Sequence, residues 1–385
     1  MIDATTRSTR STAGPSPSAS VTSTRILLAD RSFVAATLVV APTRCAALGT
    51  WCCVAFLSGL GGCEGVRDDY PLVLPRVETV PVPSAGDAAD DPAIWIHPEV
   101  PERSLVLGTD KRSGLVVYDL AGEQVQYLAA GNLNNVDLRT GVWGRRDLTV
   151  AVASAREPDE LVVLELDHET GTVRVVGRGE PVVDEPYGIC MYLDERRQPW
   201  VILNGKDGLF VQFELRQDYS IAEARRWRTE TQPEGCVADD EAGVLYIGEE
   251  NYGVWRLPAD PGEPADLVSV AAIEDGVLAA DVEGLALYRS NEATYLLVSS
   301  QGDNSYAVYD TGSGAHRGSF RVGDHPHIDE TSDTDGIAAS SVPLSGFPDG
   351  LLVVQDGDNP GGNQNFKLVS WTDVRDALAL DPRPL

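Results

Sequence analysis

Ser299-Ser300-Gln301-Gly302-Asp303-Asn304-Ser305-Tyr306-Ala307-Val308-Tyr309 is the stretch on which the fold turns. An apolar run leads into a polar, glycine-bearing turn, and Tyr306-Ala307-Val308-Tyr309 leads out of it. Runs of β-branched and aromatic residues bounded by Gly, Asn and Asp predict strands paired in hairpins. The arrangement recurs around Gly108-Thr109-Asp110-Lys111-Arg112-Ser113-Gly114, Ser154-Ala155-Arg156-Glu157, Asn204-Gly205-Lys206-Asp207-Gly208, Gly248-Glu249-Glu250-Asn251 and Gln355-Asp356-Gly357-Asp358-Asn359. These six turns fall roughly every 45 to 55 residues, a period of radial or solenoid β architectures. No amphipathic helix of any length is expected between them. Six copies of about four strands predict an all-β fold: a six-bladed β-propeller of mostly four-stranded antiparallel blades around a central channel, a shape that leaves only short, protected edges.

A second landmark precedes each turn by roughly 14 to 20 residues. The copies are Asp90-Asp91-Pro92-Ala93-Ile94, Asn134-Asn135-Val136-Asp137-Leu138, Tyr187-Gly188-Ile189, Glu234-Gly235-Cys236-Val237, Asp281-Val282-Glu283-Gly284-Leu285 and Asp333-Thr334-Asp335-Gly336-Ile337. On innermost strands, five of the six would place carboxylates around one axis, with Tyr187 the exception. Lys111, Arg112, Arg156 and Lys206 would then share a basin with Glu249, Glu250 and the aspartates. Asp and Gly favour β-turns for local reasons alone. Repetition at one place in every repeat, with both signs of charge mixed, is what points to a site. Clustered carboxylates repel and are costly to desolvate, and bound cations relieve both penalties. Hard oxygen ligands of this kind suit Ca²⁺.

The chain has 385 residues and a formal charge of -29. Residues 1–63 hold five Arg against two Asp, so the remainder carries -32. Nothing offers the basic stripe of a nucleic-acid binder, and an acidic protein repels a polyanionic substrate unless metal ions invert the local field. Residues 1–63 read as a Ser/Thr/Ala-rich disordered stretch followed by an export leader, 64–85 as a proline-bearing linker and 86–385 as the propeller. Leu60-Gly61-Gly62-Cys63 closes the second apolar stretch of the leader and resembles a lipobox, which would make Cys63 a lipidated N-terminus. An ordinary signal peptide or a single membrane anchor is the alternative. The expected location is the cell envelope or the exterior, with membrane contact only through that anchor. Cys190 and Cys236 are the two cysteines of the propeller region. They could form a disulfide, but a domain this large needs no staple, and buried free thiols are the expectation.

Across roughly residues 79 to 380 the sequence resembles the β-propeller phytases, calcium-dependent hydrolases of myo-inositol hexakisphosphate. The matching segments are Asp90 to Trp95, Lys111 to Leu120, Leu133 to Arg139, Glu234 to Glu241, Ser299 to Tyr306, Thr331 to Gly336 and Asn363 to Lys367. The resemblance implies a six-bladed propeller, several structural and catalytic Ca²⁺ ions, phytate or calcium-phytate as substrate, and a monomer. It implies phosphate-binding roles for Lys111, Arg112, Arg156, Lys206 and Tyr187. Glu234 joins Lys111, Arg156, Lys206 and Tyr187 as a catalytic residue. The implied calcium ligands are Asp90, Asp91, Glu234, Glu250, Asp281, Glu283, Asp329, Asp335 and Asp356. In such enzymes one phosphate lies over the clustered metals, a neighbouring one occupies an affinity site, and a metal-bridging water attacks phosphorus. Four positions depart from the family pattern. Arg112 stands for a second Lys. Asp207 stands for a Glu, which could alter a metal contact. Asp110 stands for an Asn, which could weaken anion binding, and Glu330 for a Gly beside Asp329.

Other phosphatase chemistry fits poorly. The five histidines (97, 168, 316, 325 and 327) form no Arg-His-Gly loop. His325 and His327 flank Pro326 without the partners a zinc site needs. No cysteine lies in a phosphate-cradling loop, and no Gly-rich strand-to-helix turn marks a nucleotide site. Two alternatives from other classes are a calcium propeller hydrolysing a sugar lactone, and a non-catalytic, surface-tethered binding propeller.

Overall fold

The computed structural model describes residues 69–180, 183–290 and 292–380. Within them the chain forms six sheets of antiparallel strands arranged as a six-bladed propeller. Blade 1 runs from its inner strand outward as Ala89–Trp95, Leu105–Asp110, Gly114–Tyr118 and Gln124–Leu128. Blades 2 to 5 repeat the pattern from inner strands Asn132–Thr140, Pro186–Leu193, Pro233–Asp239 and Val282–Arg289. Blade 6 begins at Ile337–Ser340. Each inner strand packs on the next, and that of blade 6 on that of blade 1, which closes the ring.

Burial explains the sequence pattern. A middle strand has a neighbouring blade on each face, so Leu105–Asp110 is buried at every position. Such strands read as continuous apolar runs rather than alternating ones. Outer strands such as Gln124–Leu128 are largely exposed. The Ile221–Arg228 edge carries Glu223, Arg225, Arg226 and Arg228, charge that discourages edge-to-edge pairing. The core is six separate wedges, one per seam. The seam of blades 1 and 2 packs Trp95, Leu107 and Val117 against Leu133, Ala153 and Leu164. Each buried Val or Leu there contributes about 1.5–3 kcal/mol.

Two sequence expectations change. Residues 72–78, read as linker, supply strands. Val77–Glu78 pairs antiparallel with Asn365–Ser370 and completes blade 6, while Leu72–Val73 adds a fifth, parallel strand to blade 5. Two-residue strands among prolines carry no periodicity, so the sequence does not announce them. The propeller therefore starts upstream of residue 86. Second, Cys190 and Cys236 are bonded as a disulfide, with Cα atoms 5.7 Å apart. Domain size argues only about need; the facing inner strands of blades 3 and 4 decide proximity. The one described α-helix, Trp371–Ala377, follows the last strand and caps blades 5 and 6 through Trp371 and Val374. The leader and Cys63 lie outside the described residues. Among the described residues no helix is long and apolar enough to cross a membrane.

Candidate active site

The site begins with an irregularity shared by the blades. Five inner strands each carry a register shift against their second strand, at Ala89/Pro92, Leu133/Val136, Pro186/Ile189, Pro233/Cys236 and Val282/Leu285. Such a bulge sets two residues against one and re-aims a side chain. The first residues of the pairs are Asp90, Asn134, Tyr187, Glu234 and Glu283; Asp335 takes the same place just before Ile337–Ser340. This inner ring faces one mouth of the channel. In blades 3, 4 and 5 the second bulge residue is Gly, Gly336 takes the same place in blade 6, and the packing demands it. A Cβ on Gly188 would lie 1.8 Å from the Glu234 carbonyl oxygen, and one on Gly235 would lie 2.2 Å from that of Glu283.

A second ring surrounds the first. The residues following the second strands are Lys111, Glu250, Gln301 and Gly357, and Arg156 and Lys206 fall at the equivalent positions of blades 2 and 3. Cations therefore occupy the rim of blades 1 to 3, while carboxylates gather on blades 4 to 6. Strand alternation turns the preceding residue away, which removes two expected members. Glu249 accepts hydrogen bonds from the Thr231 amide (2.6 Å) and Trp255 Nε1 (2.7 Å). Asp356 points to a different cluster: the buried Lys367 ammonium lies 2.8 Å from Asp329, 3.0 Å from Asp356 and 3.0 Å from Glu78. Asp329 and Asp356 are thus separate from the central mouth. Asp91 faces the blade seam below it, accepting the Val136 amide at 3.0 Å.

Blade 2 also departs from the expected ring of carboxylates. Its inner-ring residue is Asn134, whereas Asp137 lies farther along the channel, where it binds Arg139 at 2.9 Å. The three-residue offset past the bulge is what separates them. Of the departures from the family pattern, Asp110, Asp207 and Glu330 have partners of their own, and Arg112 stands at the rim. Asp110 is buried and accepts the Ser84 and Arg112 amides, both at 3.0 Å. Asp207 pairs with Arg228 at 2.9 Å, and Glu330 with Arg321 at 3.5 Å. Arg112 is exposed and donates from Nε to the Asp87 carbonyl.

The mouth opens into a cavity of about 350 Å³, walled by Lys111, Tyr187, Glu250, Asp281, Glu283 and Asp335 among others. Lys111 Nζ lies 2.6 Å from Asp87, 3.0 Å from Asp90 and 3.2 Å from Asp335. Burial opposes its charge, but Asp90 and Asp335 outweigh it and keep the ammonium protonated. Tyr187 lies beneath two cations, Lys206 Nζ 4.3 Å and Arg156 Cζ 5.5 Å from the ring centroid. Burial, then Glu234 and Asp90, push its phenol far up, so it remains an O–H donor. Burial raises Asp90 to about 7, partly offset by Lys111. Burial, with Glu234 and Asp281 adding to it, raises Glu250 to about 7. Glu283 and Asp335 are also raised, first by burial.

These acids fit a cation. Glu234, Glu250 and Glu283 offer oxygens all within 4.8 Å of one another. Asp90 Oδ1, Glu283 Oε2 and Asn134 Oδ1 are buried without a hydrogen-bond partner. Clustered carboxylates with raised pKa values and oxygens without partners suit a hard cation. A second space of about 390 Å³ continues along the channel past the bulges, lined by Ile94, Ile189 and Leu285 and by Arg139 with its acids. There Arg139 pairs with Asp137 and Asp240, and Arg289 with Glu241.

Several residues at the mouth escaped the sequence reading. Asp87 precedes the first landmark and binds Lys111. Gln232 and Gln301 line the cavity and donate to Glu250 and Asp335, at 2.5 and 2.6 Å. Asn134 donates to Glu234 at 3.0 Å. Gln301 stands at the position of Lys111 in its own repeat; that alignment was the available signal. Gln232 and Asp87 precede their landmarks and carry no motif.

A propeller whose mouth sets cations opposite clustered carboxylates offers partners for an anion and ligands for a cation side by side. Comparison with known proteins goes further. The phytase family model matches residues 52–383, and the chain belongs to the phytase family. The 3-phytase of Bacillus subtilis (strain 168) is 38% identical over 329 residues, covering 80% of this chain and 86% of that protein. Among solved structures, a chain of a nidogen/laminin complex aligns with a TM-score of 0.45 at 13% identity, covering 65% of this chain and 84% of that one.

Proposed function

We propose that this protein is a calcium-dependent phytase that releases inorganic phosphate from myo-inositol hexakisphosphate, free or as its calcium salt. The observation that carries this is the split rim: Lys111, Arg156 and Lys206 on three successive blades, facing Glu234, Glu250 and Glu283 within one mouth. A multiply phosphorylated ester needs both halves. Cations neutralise phosphoryl oxygens, and a carboxylate cluster gathers the metal that an acidic protein requires before a polyanion can approach.

Each side chain then has a defined task. Arg156 can grip two oxygens of one phosphate, whereas Lys111 and Lys206 act as point charges. Tyr187, kept neutral, donates its O–H to a phosphoryl oxygen and holds Lys206 and Arg156 on its ring. Asp90, Glu234, Glu250, Asp281, Glu283 and Asp335 would hold Ca²⁺ at the mouth. Calcium bound there would supply Lewis-acid polarisation of phosphoryl oxygens and a more acidic attacking water. Glu234, whose oxygens lie close to those of Glu250 and Glu283, would hold the metal and orient the attacking water. Positioning and charge neutralisation carry catalysis in phosphoryl transfer, so no protein nucleophile is required. Arg112, exposed at the rim, suits a neighbouring phosphate of the same inositol ring. Asp329, whose Oδ2 is without a hydrogen-bond partner, and Asp356, whose Oδ2 lies 3.0 Å from the Lys367 ammonium, would take a cation of their own only if Lys367 withdrew. Asp91 supports the seam beneath Asp90.

The protein is further proposed to be exported, with residues 1–63 as leader, Cys63 as a lipid attachment point and the propeller acting as a monomer. Phosphate release from phytate should stop in excess chelator and return with added Ca²⁺. Undiminished release in chelator would sink the calcium reading, and no release from phytate at any calcium level would sink the substrate reading.

A further inference from the structure

The amides at the mouth are placed with a regularity that packing alone does not require. Asn134 Nδ2 donates to Glu234 Oε1 at 3.0 Å, Gln232 Nε2 to Glu250 Oε1 at 2.5 Å, and Gln301 Nε2 to Asp335 Oδ1 at 2.6 Å. Three carboxylates of the cluster thus each have one oxygen engaged by a neutral donor. Glu234 and Glu250 turn toward Glu283, whose Oε2 has no partner. Gln301 occupies the rim position that Lys111, Arg156 and Lys206 hold in the first three blades. A lysine there would also orient Asp335, but its charge would cancel part of the field that gathers a cation. Lys111 already meets the other oxygen of Asp335 at 3.2 Å; the donors on blades 4 and 5 add no further positive charge.

We propose that Asn134, Gln232 and Gln301 are positioning residues for the metal centre, uncharged donors that fix one oxygen each of Glu234, Glu250 and Asp335 without adding positive charge to the cluster. The proposal rests on the calcium reading above. Outer partners of this kind typically change metal affinity by about 10–100-fold when removed.

The test is calorimetric titration of Ca²⁺ into the metal-stripped full chain, with phosphate release measured in parallel. Gln232→Met and Gln301→Met keep side-chain length and lose the donor. Each should weaken calcium binding by about 10–100-fold and raise the calcium needed for half-maximal activity, with KM for phytate at saturating calcium unchanged. Gln301→Lys keeps a donor and adds charge, and it should also weaken calcium binding; it keeps the test open if a Met variant fails to fold. Calcium affinity unchanged in the Met variants, or in Gln301→Lys, would overturn the proposal. A wild-type protein that binds no calcium would instead refute the calcium reading itself.

Discussion

Titrating the metal-free protein from pH 5 to pH 8 should destabilise it, and Glu250 gives the scale. Its carboxyl is raised from 4.5 to about 7, first by burial and then by Glu234 and Asp281. The native state therefore holds this proton more tightly than the unfolded chain. Below pH 4.5 both states are protonated and there is no differential. Between about 4.5 and 7 the unfolded chain releases the proton first, so stability falls as pH rises, and above 7 the whole penalty applies. At 1.36 kcal/mol per unit the penalty is about 3 kcal/mol. For a domain of about 300 residues that lowers the melting temperature by roughly 5 °C. Asp90, raised to about 7 by burial against the pull of Lys111, adds a contribution of the same sign. Calcium, compensating the charged form, should remove most of the decline. Differential scanning fluorimetry in chelator and in calcium across this range measures both curves. Glu250→Gln keeps an acceptor for Gln232 and removes the charge, so its chelated form should melt higher than wild type at pH 8. A chelated wild type that melts no lower at pH 8 than at pH 5, or a Glu250→Gln curve with the wild-type slope, would refute the reasoning.

Arg156→Ala should lower kcat/KM for phytate by about 10²–10³ with little change in melting temperature, because its charge works at the rim. Lys111→Met should lose both activity and about 3–5 kcal/mol of stability in denaturant unfolding, since it leaves buried Asp90 and nearby Asp335 unpaired. Cys190→Ser should cost about 4 kcal/mol in the same assay, because the bridge closes a loop of 46 residues, and reductant should reproduce the loss in wild type. Gly188→Ala should destabilise by about 3 kcal/mol or more, since its methyl would collide with the Glu234 carbonyl across the blade 3–4 seam.

Much of this molecule is legible without coordinates. The six turns with apolar runs on either side are local signals, because strand and turn preferences depend on neighbours a few residues away. Asp90, Glu234, Glu283 and Asp335 were legible for the same reason: a landmark repeated in register must fall at one place in every blade. Where a residue's direction depends on a bulge or on alternation, the sequence reading failed. Asp137 was credited to the ring that Asn134 occupies, and Glu249 and Asp356 were credited to a mouth from which strand alternation turns them away.

The linear order of residues determined the architecture, the blade count, and the choice of Lys111, Arg156 and Lys206 as the facing cations, since each follows from periodic local patterns. Only the folded ring decided what meets across seams. It joined Cys190 to Cys236, closed blade 6 with Val77–Glu78, set Lys367 among Glu78, Asp329 and Asp356, and placed Gln232 and Gln301 behind their carboxylates. Those contacts link residues 18 positions apart, as in Gln232 and Glu250, and 289 apart, as in Lys367 and Glu78. Their existence depends on how strands pair within a blade and how blades pack on one another, which no local pattern encodes.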